Sequence, residues 1–229
     1  MMSFLSREQV AWRAAQDLGD QTYVNLGVGL PSLVSTYLPP GRDVVFQSEN
    51  GALGVRALAT PGEGHPDLID AGAERIAICD GGSFFDCATS FVMLRGGHID
   101  LAILGAFQVS RSGDLASWSI GSKDAPPAVG GSMDIAVGAK EVWVMMEHCT
   151  KRGEHRLVEQ CSYPVTARGV VRRIYTDLSV IHVVEGSFVV RESLPGMSFD
   201  ALRDKTGAAL VIDRDWKPLA VETTPKGSY

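Results

Sequence analysis

Two short, uninterrupted apolar runs, Leu101-Ala102-Ile103-Leu104 and Val142-Trp143-Val144-Met145-Met146, constrain the fold more than any other feature of this sequence. Strands with one wet face alternate apolar and polar residues, whereas a continuous run of strand length is buried on both faces, as in a parallel sheet covered by helices. Tyr23-Val24-Asn25-Leu26, Val44-Val45-Phe46-Gln47 and Arg75-Ile76-Ala77-Ile78-Cys79 are further runs of strand length, each followed by a turn. Helix patterns lie between them. Ser6-Arg7-Glu8-Gln9 reads as a capping box opening an amphipathic helix over residues 6–18, with Val10, Ala14 and Leu18 at a spacing of four. Pro31 stands in the first turn of a second helix. Asp80-Gly81-Gly82-Ser83 is expected to be a turn into a third, from Phe84 to Arg95, with Ser83 and Asp86 at its start. Val180 to Val184 and Phe188 to Arg191 flank Glu185-Gly186 as a hairpin, and another helix follows from about Phe199 to Thr206. This alternation predicts an α/β fold: one domain over residues 1–212 with a mostly parallel sheet flanked by helices. Residues 213–229 are polar and weakly patterned, and they read as a C-terminal tail suited to packing on a neighbouring chain.

Composition narrows the function classes. The chain has 229 residues and 25 glycines, about 11% against a typical 7%, with no three-residue period. Such a surplus implies tight turns or close backbone approach to a ligand. The formal charge of -6, without a block of like charges, excludes an electrostatic footprint for nucleic acid. No apolar run is long enough to span a membrane, and the N-terminus lacks a basic region followed by an apolar one, so a cytoplasmic protein is expected. Cys79, Cys87, Cys149 and Cys161 form no C-x-x-C pair. Reduced thiols, mostly buried, are expected of them.

Several motifs admit both a chemical and a structural reading. Gly27-Val28-Gly29-Leu30-Pro31-Ser32 is either a tight turn or a loop whose free amides hold an anion; with Ser32 replacing a third glycine, it is not a dinucleotide fingerprint. Glu49, flanked by Ser48, Asn50 and Gly51, is either a turn acid or a nucleophile at a strand's carboxyl end, where open α/β sheets bind ligands. A carboxylate ionised at neutral pH needs no general base to attack an activated carbonyl, only donors for the developing oxyanion. Gly130-Gly131 is either a bend or a source of those donors. Gly81-Gly82 and Gly96-Gly97-His98 carry the same two readings. Glu147, His148, Cys149, His155 and Cys161 fit no common zinc spacing, so no metal site is expected.

Taken in order, Gly27-Val28-Gly29-Leu30-Pro31, Ser48-Glu49-Asn50-Gly51, Arg95-Gly96-Gly97-His98-Ile99-Asp100, Leu104-Gly105-Ala106-Phe107-Gln108-Val109 and Gly130-Gly131-Ser132-Met133-Asp134 resemble the B subunit of family I CoA-transferases over roughly residues 5–212. Gly113 to Trp118 followed by Lys123 to Val129 looks like the 3-oxoadipate branch; the acetoacetate branch usually carries a P-G-K-M-V type sequence there. Ser132 and Ser117 stand where the family usually has Ala and Asn, and Gly54 to Pro61 departs from its G-x-G-P-x-P form.

The resemblance implies an α/β fold of the CoA-transferase and sugar-phosphate-isomerase type. It also implies transfer of CoA from succinyl-CoA to 3-oxoadipate, as in aromatic catabolism by the β-ketoadipate route. Glu49 takes the role of nucleophile, forming a glutamyl-CoA thioester, and the Gly131 amide that of oxyanion donor. Substrate and CoA contacts fall on Asn25, Gly27, Gly29, Ser48, Asn50, Gly51, Gln108 and Gly130. CoA and acyl-CoA enter as substrates and no cofactor is permanently bound. The partner implied is an A subunit of similar fold in an α2β2 heterotetramer, without which the chain is inactive; no nucleic acid or membrane partner is implied. Acetoacetate is the alternative acceptor. A sugar-phosphate or effector-binding module of related fold is the reading from a different class.

Overall fold

The computed structural model describes residues 4–58, 64–121 and 129–220. Its strands are β1 (Thr22–Leu26), β2 (Val44–Ser48), β3 (Ala52–Arg56), β4 (Ala77–Phe84), β5 (Leu101–Leu104), β6 (Gln108–Ser110) and β7 (Leu115–Ala116). They continue with β8 (Glu141–Met145), β9 (Leu157–Val158), β10 (Val171–Tyr175), β11 (Ser179–Val184), β12 (Ser187–Ser193) and β13 (Leu210–Pro218). Ten of them form one sheet in the order β13-β12-β11-β10-β8-β5-β1-β2-β3-β4, and β7-β6-β9 form a small second sheet. The centre, β10-β8-β5-β1-β2, is parallel throughout. Antiparallel pairs extend it on both sides, and β13 closes one edge parallel to β12.

The two runs that dominate the sequence occupy β5 and β8, beside one another at the centre. Ile103 and Val144 are completely buried, as a strand covered on both faces requires. The chain leaves β1 toward β2 on one side and later enters β5 on the other side of β1. That reversal opens a crevice at the carboxyl ends of β1 and β5, the usual ligand position in open α/β sheets.

Helix α1 (Arg7–Gln16) has the expected capping box: the Gln9 amide donates to Ser6 Oγ at 3.3 Å and Ser6 N–H donates to Gln9 Oε1 at 2.9 Å. Its Val10, Ala11, Ala14 and Ala15 are buried, and the helix packs against β10 and the 3-10 helix Pro31–Tyr37. Helices α2 (Cys87–Arg95) and α3 (Ser132–Gly138) pack together, and α4 (Phe199–Arg203) precedes the last strand.

Four expectations need correction. Residues 80–83 are not a turn but part of β4, which pairs with β3 on both sides of them, at Ala77 and Ile78 and again at Ser83 and Phe84, while the glycines sit in an irregularity of the register between those pairs. The helix therefore begins at Cys87, capped by Asp86 rather than Ser83, with Asp86 Oδ1 accepting from Thr89 N–H at 2.8 Å. Residues 213–218 continue β13 across the boundary predicted after residue 212, and Leu219 is buried beyond it; residues 221–229 of the expected tail lie outside the described residues. None of the four cysteines is fully buried, and Cys87 is exposed. Among the described residues, no helix is long and apolar enough to cross a membrane.

Candidate active site

The carboxyl ends of β1, β2, β5 and β8 open onto one cleft of about 680 Å³, lined among others by Gly27, Gly29, Glu49, Gly105, Met146 and Gly131. Two smaller hollows, about 470 and 430 Å³, adjoin it and share Arg7 with it. Glu49 is the first residue after β2, half-buried, with its carboxylate at the cleft.

A buried hydrogen-bonded chain sets the position of that carboxylate. Asn25 Nδ2 donates to Glu49 Oε2 at 3.3 Å and to Gln47 Oε1 at 2.7 Å, and Gln47 Nε2 donates to Ser90 Oγ on α2 at 2.6 Å. Asn25, Gln47 and Ser90 are each no more than 2% exposed. Polar side chains that deep are costly unless mutually satisfied, so their partners are fixed in one arrangement. The Asn25 amide cannot be flipped without setting its oxygen against two acceptors. One atom is left over: Asn25 Oδ1 is buried without a partner.

Gly51 closes the turn that carries Glu49. Its φ is +125°, and a Cβ there would lie 2.1 Å from the Phe85 carbonyl oxygen, a position open to glycine alone. Its N–H donates to Ser48 O at 3.0 Å, and its carbonyl accepts from Phe85 N–H at 3.0 Å. Ser48 and Asn50 act on a neighbouring strap instead of facing the cleft. Ser48 Oγ accepts from Ala71 N–H at 3.0 Å, and Asn50 Nδ2 donates to Ile69 O at 2.9 Å. Ala71 itself lines the cleft.

Gly130 and Gly131 lie on the same cleft as Glu49, at the start of α3. Among the described residues neither N–H has a backbone acceptor. A Cβ on Gly131 would meet the Phe91 ring at 2.9 Å, so α2 backs the amide closely. Adjacent residues of α2 thus serve both sides of the cleft: Ser90 ends the chain leading to Glu49, and Phe91 supports Gly131. An ion pair from Arg95 Nε to Asp134 Oδ1 at 2.8 Å also joins α2 to α3, and it holds the Asp134 carboxyl below its ordinary pKa.

The residues expected at the site therefore divide. Glu49, Gly27, Gly29, Gly130 and Gly131 line the cleft, while Asn25, Ser48, Asn50 and Gly51 hold its walls from behind. Gln108, one residue beyond the cleft-lining Phe107, does not line it: its Oε1 accepts from Ser162 N–H at 2.8 Å and Tyr163 N–H at 3.3 Å, fastening that loop to the small sheet. His148 is fully buried, with ring nitrogens 3.1 Å and 3.0 Å from the hydroxyls of Thr176 and Thr206. Two arginines on the cleft, Arg7 and Arg156, belong to none of the sequence motifs read as chemical. Neither has a local pattern that marks it as a site residue, and only the folded chain brings them to the same cleft as Glu49. The stretch from Lys123 to Ala128 and the end of the Gly54 to Pro61 segment fall outside the described residues.

The model of the Coenzyme A transferase family matches residues 7–205. The chain belongs to that family. This CoA-transferase chain is 49% identical over 207 residues to the B subunit of the 3-oxoadipate CoA-transferase of Acinetobacter baylyi, covering 90% of this chain and 95% of the relative. It is 48% identical over 206 residues to the B subunit of the succinyl-CoA:3-ketoacid coenzyme A transferase of Helicobacter pylori, covering 90% of this chain and 99% of that one. Among solved structures, the acyl-CoA transferase YdiF of Escherichia coli O157:H7 superposes with a TM-score of 0.73 at 17% identity, over 96% of this chain and 44% of that longer chain. The fold is that of CoA-transferases, and by its relatives the chain is of the B type.

Proposed function

We propose that this chain is the B subunit of an enzyme that moves CoA from succinyl-CoA to 3-oxoadipate by way of a covalent thioester on Glu49. The observation that carries the proposal is a carboxylate held by a buried Asn25 amide at 3.3 Å, on the same cleft as the amides of Gly130 and Gly131, which have no backbone acceptor among the described residues. Glu49 attacks the thioester carbonyl and forms a mixed anhydride, expelling CoA thiolate. The thiolate then attacks the glutamyl carbonyl and expels succinate, leaving Glu49 bound to CoA. The carboxylate of 3-oxoadipate attacks that thioester, again expelling thiolate, and the thiolate takes the oxoadipyl group from the second anhydride. Each step exchanges one acyl bond for another, so the thioester energy is kept and water is the competitor to exclude.

The Gly131 N–H takes the oxyanion, with Gly130 beside it; the backbone at Gly27 and Gly29 admits the thiol arm of CoA. No permanent cofactor is needed. Activity requires an A subunit, in an α2β2 heterotetramer in the cytoplasm, within aromatic catabolism. Acetoacetate is the second acceptor to weigh, since relatives named for 3-oxoadipate and for 3-ketoacids are 49% and 48% identical to this chain.

The assembled enzyme, incubated with succinyl-CoA, is expected to form a borohydride-sensitive adduct on the peptide containing Glu49, and Glu49→Ala abolishes it. An adduct mapped to another residue refutes the assignment. Binding of a sugar phosphate with no acyl exchange overturns the class of reaction itself. Comparing 3-oxoadipate with acetoacetate as acceptor decides the substrate.

A further inference from the structure

Arg156 has no part in the chemistry above, yet it lines the same cleft as Glu49. It stands immediately before β9, and its carbonyl accepts from Val109 N–H at 2.9 Å, so the small sheet fixes its backbone. The side chain is only 21% exposed. Its Nε is buried with no hydrogen-bond partner. Among the described residues its one ion pair is with Glu147, through a single Nη2 to Oε2 approach of 3.4 Å, and Glu147 is itself half exposed. An arginine fork matched to a carboxylate makes two short parallel bonds. Arg156 makes neither, so its charge at the cleft is met by one long, half-exposed approach alone.

The surroundings fit an acid with two ends. Glu49 and Glu147 follow β2 and β8, which β1 and β5 separate; three strand spacings come to about 14 Å. Long side chains entering from both ends shorten that gap to the length of a short acyl chain. Between them the wall is apolar, with Leu104, Phe107 and Met145.

We infer that Arg156 is a specificity residue that binds the free carboxylate at the far end of the acyl group, so that the site prefers acids carrying a second carboxylate over 3-oxo acids with only one. The inference rests on the reading of Glu49 as the thioester-forming residue. It applies to both half-reactions, because succinate and 3-oxoadipate each carry a distal carboxylate and acetoacetate does not.

In a ping-pong enzyme, kcat/KM for each substrate belongs to its own half-reaction, so the acceptors can be compared without interference from the donor. In the enzyme assembled with its A subunit, Arg156→Gln is expected to lower kcat/KM for succinyl-CoA and for 3-oxoadipate at least 30-fold. For acetoacetate and acetoacetyl-CoA the change is expected to be less than threefold, which also shows that the variant is folded. Arg156→Lys, keeping the charge without the fork, recovers part of the loss for the two-ended acids alone. Equal losses for both kinds of acid, or no loss for either, overturn the inference while Glu49 still carries CoA. If the unaltered enzyme forms no thioester on Glu49 from any acyl-CoA, the underlying reading fails and this one falls with it.

Discussion

Replacing Asn25 by alanine separates what the buried chain does for stability from what it does for Glu49. The substitution removes the donor to Glu49 Oε2 at 3.3 Å and to Gln47 Oε1 at 2.7 Å. Gln47 is 2% exposed, so its oxygen is left buried and unpaired, at about 1–3 kcal/mol. Part of that is offset, because the unpartnered Asn25 Oδ1 disappears too. Unfolding free energy is therefore expected to fall by no more than about 2 kcal/mol. A hydrogen bond to a charged group contributes about 1.5–3 kcal/mol, which as a barrier is roughly a 10- to 150-fold loss of rate. Rapidly quenched acylation with succinyl-CoA, followed by quantifying the Glu49 adduct, measures that loss, and urea unfolding measures the other quantity. A variant that acylates within threefold of the parent refutes the positioning role of Asn25. So does a rate loss fully accounted for by unfolded protein.

Two further outcomes test the surroundings. Gly51→Ala combines a φ that side chains rarely adopt with a collision against the Phe85 carbonyl; a loss of about 3 kcal/mol in urea unfolding is expected, and under about 1 kcal/mol would contradict it. Burial lowers the pKa of His148 from 6.5 to about 3. As pH falls the unfolded chain takes up that proton first, so the favourable contribution is complete above about pH 6.5 and is lost progressively toward pH 3. Unfolding measured across this window should be steeper for the parent than for His148→Gln, by up to about 1.4 kcal/mol per pH unit, and parallel curves would exclude the assignment.

How much of this was legible in the sequence depended on whether the deciding contact was local. The capping box of α1, the runs of β5 and β8 and the hairpin at Glu185-Gly186 are specified by neighbours a few residues apart, and each is where the sequence puts it. Gly81-Gly82-Ser83 reads as a turn because glycine is locally permissive. It is a strand because β3 lies alongside and pairs with it at both ends, and a Cβ on Gly82 would crowd the Leu53 carbonyl of β3 at 2.8 Å. The polar residues 213–218 hide an edge strand for a similar reason: β12 supplies the pairing. At the site, Glu49 and the glycine loops stand in recognisable motifs, but the roles of Ser48 and Asn50 do not follow from the motif. Their partners, Ala71 and Ile69, lie about twenty residues away in sequence. Arg156 has no local signal, since its meaning comes from a cleft built by other elements.

The shared support on α2 has a mechanical consequence. Ser90 reaches Glu49 through two side chains, and Phe91, next to it, backs Gly131. A displacement of the helix therefore reaches both groups, the carboxylate through the hydrogen-bonded chain and Gly131 through the Phe91 ring. The same coupling restricts redesign: shifting α2 to enlarge the cleft would disturb the supports of Glu49 and Gly131 together.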